Sequence, residues 1–131
     1  MSEQASAEFA AAAGCRELAK SKILVVDDDQ DVREIVAEAL VDFGYGVVQA
    51  ASGEEALPIL RRDRDISLLI TDVRMPGMSG LDLAKAARRG NADLKIIVIS
   101  GYFVPQHIGE RFLAKPFHMQ ELASAVQSEM R

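Results

Sequence analysis

The sequence predicts an α/β fold, a doubly wound parallel sheet with helices on both faces. Three observations carry this reading. From Lys22 onward, short β-branched runs alternate with segments of helical apolar spacing, the order that right-handed βαβ units produce. The first of those runs, "KILVV", is continuously apolar, as a strand buried on both faces must be. A chain of 131 residues with 49% hydrophobic and 27% charged residues fits one ordinary globular domain with a core of its own.

Taken in order, residues 1–21 stand apart: Ala-rich, without a strand signal, and expected to form a mobile or weakly helical tail. Its "ASAEFAAAAG" could pass for the core of a signal peptide. Glu3, however, stands where basic residues belong and Glu8 interrupts the apolar stretch, so the expected location is cytoplasmic. Strand one is "KILVV". "DVREIVAEALVDFG" reads as a helix with Val32, Ile35, Val36, Ala39, Leu40 and Phe43 on one core-facing stripe and Gly44 as its stop. "YGVVQA" is strand two. In "SGEEALPILRR", Ser52 and Glu55 have capping-box spacing, and Pro58 is expected to kink the helix they start. "ISLLIT" is strand three, "GLDLAKAARRG" a helix with Gly90 as its stop, and "LKIIVIS" strand four. "RFLA" is a short fifth strand, and "MQELASAVQSEM" a terminal amphipathic helix. No internal repeat or second domain is legible, so residues 22–131 are read as the domain.

Charge narrows the partners. A net charge of −5 provides no basic footprint for nucleic acid or an anionic membrane. No apolar run approaches the roughly 20 residues of a membrane span. Cys15, the single cysteine, excludes an internal disulfide and fits a reducing compartment; it is assigned no role.

In an open parallel sheet, ligands bind beyond the carboxyl ends of the strands. Strand one is followed by Asp27, Asp28 and Asp29; strand three by Asp72, in "TDVRMPG"; strand four ends at Ser100; strand five leads to Lys115-Pro116. Each has an ordinary structural explanation: an aspartate capping a helix, a turn hydroxyl, a solvated lysine. Those explanations do not predict acid, acid, hydroxyl and amine at four strand ends together. Clustered carboxylates repel one another unless a cation enters, and hard oxygens with room for water suit Mg²⁺. His107 and His118 show no zinc-like spacing. A carboxylate beside Mg²⁺ can act as a nucleophile toward phosphorus, with an amine and a hydroxyl receiving the phosphoryl oxygens.

The motifs "ILVVDDDQDVREI", "LLITDVRMPGMSGLDL", "IIVISGY" and "FLAKPF" make the chain resemble a response-regulator receiver domain of two-component signalling, from about Lys22 to the C-terminus. The resemblance implies five strands in the flavodoxin-like order 2-1-3-4-5. It makes Asp72 the phospho-acceptor. It assigns Mg²⁺ to Asp28, Asp72 and the backbone carbonyl of Arg74, with Asp27 acting through water. It also implies Lys115 as the cation on the phosphoryl group, a cis Lys115-Pro116 bond, Ser100 as switch hydroxyl and Phe112 as switch aromatic. The implied partners are a histidine kinase or histidine phosphotransfer protein, then an unidentified downstream protein. The implied state is a monomer or a weak phosphorylation-dependent dimer.

One feature departs from that pattern. Residues 101–111 leave eleven positions between Ser100 and Phe112, and a return helix alone needs about eleven. With Pro105 and Gly109 inside it, the helix expected between strands four and five is truncated to a turn or two. No output module is legible after the terminal helix, so the expectation is a stand-alone phospho-receiver, not an enzyme in the usual sense, that serves as a relay intermediate, a phosphoryl sink or a regulator binding a protein partner when phosphorylated. The alternatives are a receiver-fold interaction module not controlled by phosphorylation, and a Mg²⁺-dependent phosphatase with an aspartyl nucleophile. Labelling by a small phosphodonor separates the first alternative, and turnover of a phosphate monoester the second.

Overall fold

The computed structural model describes residues 22–101 and 111–130. Five strands are present among them: β1 (Lys22–Val26), β2 (Gly46–Ala50), β3 (Ile66–Asp72), β4 (Lys95–Ser100) and β5 (Arg111–Ala114). They form one sheet in the order β2-β1-β3-β4-β5, and every neighbouring pair is parallel. The helices are α1 (Gln30–Asp42), α2 (Gly53–Arg62), α3 (Gly80–Gly90) and α4 (Met119–Met130). The expected tail, residues 1–21, and the expected truncated crossover helix, residues 102–110, lie outside the described residues.

The strand order explains which helix lies on which face. The step from β1 to β2 runs one way across the sheet, and the steps to β3 and β4 run the other way. Right-handed crossovers then put α1 on one face and α2 and α3 on the opposite one. The packing follows this division. Ile23, Val25, Leu68, Ile70, Ile97 and Ile99 pack with Val36 and Leu40 of α1 and Leu122 and Val126 of α4. Their neighbours Leu24, Val26, Leu69, Ile96 and Val98 point the other way, onto Ala56 of α2 and Leu83, Ala84 and Ala87 of α3. That period-two alternation splits the core into two layers, and each fully buried Leu or Ile contributes about 1.5–3 kcal/mol.

Local chemistry sets the element ends. Asp29, Ser52 and Ser79 cap α1, α2 and α3, each accepting backbone N–H bonds from the first turn. At Gly44 the chain turns through φ +100°, a conformation that favours glycine, as the reading of this residue as a stop requires.

Three expectations need correction. Ile35 and Phe43 do not face the core: they are 55% and 40% exposed, because Val36, Ala37 and Leu40 set the buried side of α1 and leave Ile35 on its flank. Gly90 does not stop α3 but is its last residue; Asn91 caps it, donating its N–H to the Ala87 carbonyl. Pro58 lies inside α2, where the sequence places it, at the cost of one backbone donor. Strand β3 also runs one residue further than its apolar pattern, through Asp72, which pairs with Ile99 of β4.

Candidate functional site

Each carboxylate of the triplet after β1 has a separate position. Asp29 is consumed by the α1 cap: its Oδ1 accepts from the N–H groups of Asp31 and Val32 at 3.0 and 3.3 Å. Asp27 extends the ladder one step, donating its N–H to the Ala50 carbonyl at 3.2 Å, while its Oδ1 accepts from Asp29 N–H at 2.9 Å. Asp28 is exposed. Sequence reasoning missed Arg33, which donates from Nη1 to the Asp27 carbonyl at 2.8 Å and from Nε to Gln49 Oε1 at 3.1 Å. It thereby ties the ends of β1 and β2 to α1. A cation on the first turns of a helix reads as a solvated side chain, so the sequence carries no signal for this role.

Asp72 ends β3, partly exposed. Its Oδ1 accepts from the N–H of Val73 at 2.9 Å, leaving Oδ2 toward Lys115 Nζ at 3.4 Å. The same ammonium lies 3.9 Å from Asp27 Oδ2. One carboxylate oxygen each from Asp27, Asp28 and Asp72 falls within 4.8 Å of the others. Lys115 is positioned by its backbone, whose N–H donates to the Ser100 carbonyl at 2.9 Å, and its bond to Pro116 is cis. Ser100 is buried at the end of β4, one residue beyond the Ile99 that pairs with Asp72.

The backbone around Asp72 is held from behind by a residue the sequence reading passed over. Gly80, first in α3, donates its N–H to the Val73 carbonyl at 2.9 Å and sits so close to the Asp72 carbonyl that a Cβ has no room. Its only sequence signal is a glycine directly after a Ser cap. The intervening turn passes through Gly77 at φ +77°, and Glu54 of α2 accepts the Met78 N–H at 3.1 Å. Pro76-Gly77 thus turns the chain away from the carboxylates. Arg74 is exposed in this turn. Phe112 is not part of the cluster: its backbone pairs with Val98, two residues before Ser100, and its side chain is 41% exposed.

The electrostatics are those of crowded acid. Burial pushes the Asp27 carboxyl above the usual carboxylate range, the Asp29 N–H opposes that, Asp72 and Asp28 push it further up, and Lys115 draws it down. One ammonium faces three carboxylates, so the arrangement favours an added cation bound through oxygen. A carboxylate with one free oxygen beside an amine can also accept an electrophilic, oxygen-rich group.

Among the described residues, no helix is long and apolar enough to cross a membrane. Residues 23–127 match the family model of the response regulator receiver domain. The chain is 35% identical over 113 residues to the response regulator receiver protein CpdR of Brucella abortus, covering 81% of this chain and 93% of that protein. The chain spans about half the length of the probable transcriptional regulators ycf27 of Porphyridium aerugineum and Porphyra purpurea, to which it is 34% and 35% identical. Among solved structures, the receiver domain from the hybrid histidine kinase CckA is 40% identical with a TM-score of 0.75, over 84% of this chain and 99% of that one. The response regulator TrrA of Thermotoga maritima, in complex with Mg(2+)-BeF, is 34% identical with a TM-score of 0.77, over 83% and 98%. With the family model matched over residues 23–127 and a relative 35% identical over 93% of its own length, the chain belongs to the response regulator receiver domain family.

Proposed function

We propose that the chain is a Mg²⁺-dependent phospho-receiver that accepts a phosphoryl group on Asp72 from a phosphohistidine. The donor is a histidine kinase or histidine phosphotransfer protein, and the phosphorylated chain signals through a protein partner in the cytoplasm. The observation that carries this reading is the approach of Lys115 Nζ to Asp72 Oδ2 at 3.4 Å beside Asp27 and Asp28. A carboxylate oxygen of Asp72 attacks phosphorus, the P–N bond to the imidazole breaks, and the released nitrogen takes up a proton. Lys115 neutralises the phosphoryl oxygens, and the Ser100 hydroxyl, at the buried end of β4, is assigned to move toward one of them and donate to it. Phe112, already half out of the domain, is assigned the change of position that a partner reads.

Three hard carboxylates in one place fit Mg²⁺. Asp28 and Asp72 would ligate it directly with the Arg74 carbonyl, and Asp27 through water. When bound, the ion neutralises charge on the transferring group. The Mg(2+)-BeF complex of TrrA supports the same assignment here. Incubation with acetyl phosphate and Mg²⁺, read by intact mass, tests the proposal: one added phosphoryl group is expected, and none without the metal.

Two further outcomes follow from the crowded acids. Asp28→Ala removes a ligand and a repulsive charge, so Mg²⁺ affinity should fall about tenfold or more, about 1.4 kcal/mol, while melting in metal-free buffer moves upward. Calorimetry and thermal melts check both halves. Asp27 gives a pH dependence. Its folded carboxyl holds a proton more tightly than the unfolded one, so the folded state binds more protons, and stability falls as pH rises from the ordinary carboxylate range through the raised value. Asp27→Asn should flatten that fall in metal-free buffer; an unchanged slope would show that Asp27 does not cause it.

A further inference from the structure

Both peptide groups of Asp27 are held, each by a different means. Its N–H reaches the Ala50 carbonyl at 3.2 Å, one step past Val26, the last residue of β1 paired with β2 or β3. For its carbonyl the sheet offers no further step, and Arg33 supplies the donor. Nη1 stands at 2.8 Å, after the side chain has reached back six residues over the Asp29 cap. That carbonyl lies in one rigid plane with the N–H of Asp28, so fixing the one fixes the other. The Asp27 carboxylate has a restraint of its own, the Asp29 N–H at 2.9 Å. Asp28 is exposed and takes its direction from the peptide it grows from. Of the three acids whose oxygens gather within 4.8 Å, Asp28 depends most on Arg33.

The guanidinium is itself held in place. Its Nε donates to Gln49 Oε1 at 3.1 Å, and Gln49 stands opposite Val25 in the register of β1 and β2. A planar fork bonded to both partners meets the carbonyl at one angle. An ammonium is a single charge on a flexible stem and cannot keep both bonds in fixed geometry.

We propose that Arg33 is a positioning residue for the metal: through the Asp27 carbonyl it aims Asp28 at the ion, and Gln49 keeps the guanidinium in register. This rests on the reading of the acid cluster as a Mg²⁺ site. A tie that only stabilises the fold has the opposite electrostatic consequence. Arg33 is a cation beside a cation site, so Coulomb repulsion alone makes its removal strengthen Mg²⁺ binding. Lost positioning makes the removal weaken it, by the tenfold or so typical of partners that orient metal ligands.

Calorimetric titration of the full chain with Mg²⁺, with no phosphodonor present, reads the sign. Arg33→Lys keeps the charge and loses the fork, while Arg33→Ala loses both. Each should bind Mg²⁺ about tenfold more weakly, and Gln49→Leu more weakly by a smaller factor. If Arg33→Ala does not fold, the other two variants still decide. In an Asp28→Ala chain, adding Arg33→Lys should cause no further loss, because the ligand it aims is gone. In metal-free buffer, ¹⁵N relaxation should give Arg33→Lys a lower order parameter at Asp28, with α2 and α3 unchanged. Equal or tighter Mg²⁺ binding by Arg33→Lys, or a loss that persists in full without Asp28, overturns the proposal. An unaltered chain that binds no Mg²⁺ removes the metal reading and this proposal together. An unaltered chain that binds it, with variants that bind it as well, removes only the role of Arg33.

Discussion

Asp72→Asn should take up no phosphoryl group, with the fold intact. The amide keeps the shape of the carboxylate and an oxygen near Lys115, but it is a poor nucleophile and cannot form a stable acyl phosphate. The expected loss of labelling exceeds about a thousandfold, more than about 4 kcal/mol in the barrier. Stability should hold or rise, because the exchange removes one of the three charges gathered within 4.8 Å. Intact mass after incubation with acetyl phosphate and Mg²⁺, paired with a thermal melt, reads both. A phosphoryl group found on Ser100 or a histidine of the Asp72→Asn chain would remove Asp72 from its assigned role.

The second large effect is expected where no reactive group stands. A Cβ at residue 80 would overlap the Asp72 carbonyl oxygen and lie 2.8 Å from the carbonyl carbon and 3.0 Å from the Cα of Val73. All three are backbone atoms, so no side chain can swing aside. Gly80→Ala must therefore push the start of α3 away from the end of β3, at a cost of about 1–3 kcal/mol, about 5–15 °C in Tm. Because the displaced carbonyl belongs to Asp72, phosphoryl uptake should slow about a hundredfold in the fraction that stays folded. Gly53→Ala is the control: its Cβ would meet only the side chain of Met78, which can move. If the two variants melt and label alike, the close approach at Gly80 is not what holds Asp72.

These two positions mark the limit of what could be read from residues alone. Strands β1, β3 and β4 were legible because apolar runs buried on both faces leave few other options, while the more exposed edge strands β2 and β5 were legible from their place in the strand–helix alternation. The meeting of Asp27, Asp28, Asp72 and Lys115 was legible because topology sends all parallel strand ends to one edge. Gly80 was not, since a glycine chosen for space looks like any glycine near a cap. Nor was the burial of α1: Ile35 and Phe43 fit an apolar spacing, but the side turned inward depends on where β1 and β3 stand. Asp29 shows the opposite case, a third acid of the triplet that does only what a cap does.

Lys115 and Asp72 meet although they stand 43 positions apart in the sequence. Time enters here, because a ribosome adds about 5–20 residues per second. The acceptor and both neighbouring acids are therefore made some seconds before the ammonium that faces them. During that interval β5 does not yet exist, and Asp27 and Asp72 lack the ammonium that faces them in the finished chain. On the proposed phospho-receiver reading, a message broken before the codon for Lys115 would yield a chain that carries Asp72 without the ammonium that receives the phosphoryl oxygens. On that reading, competence to receive a signal would arrive with β5, and an unfinished chain would stay silent.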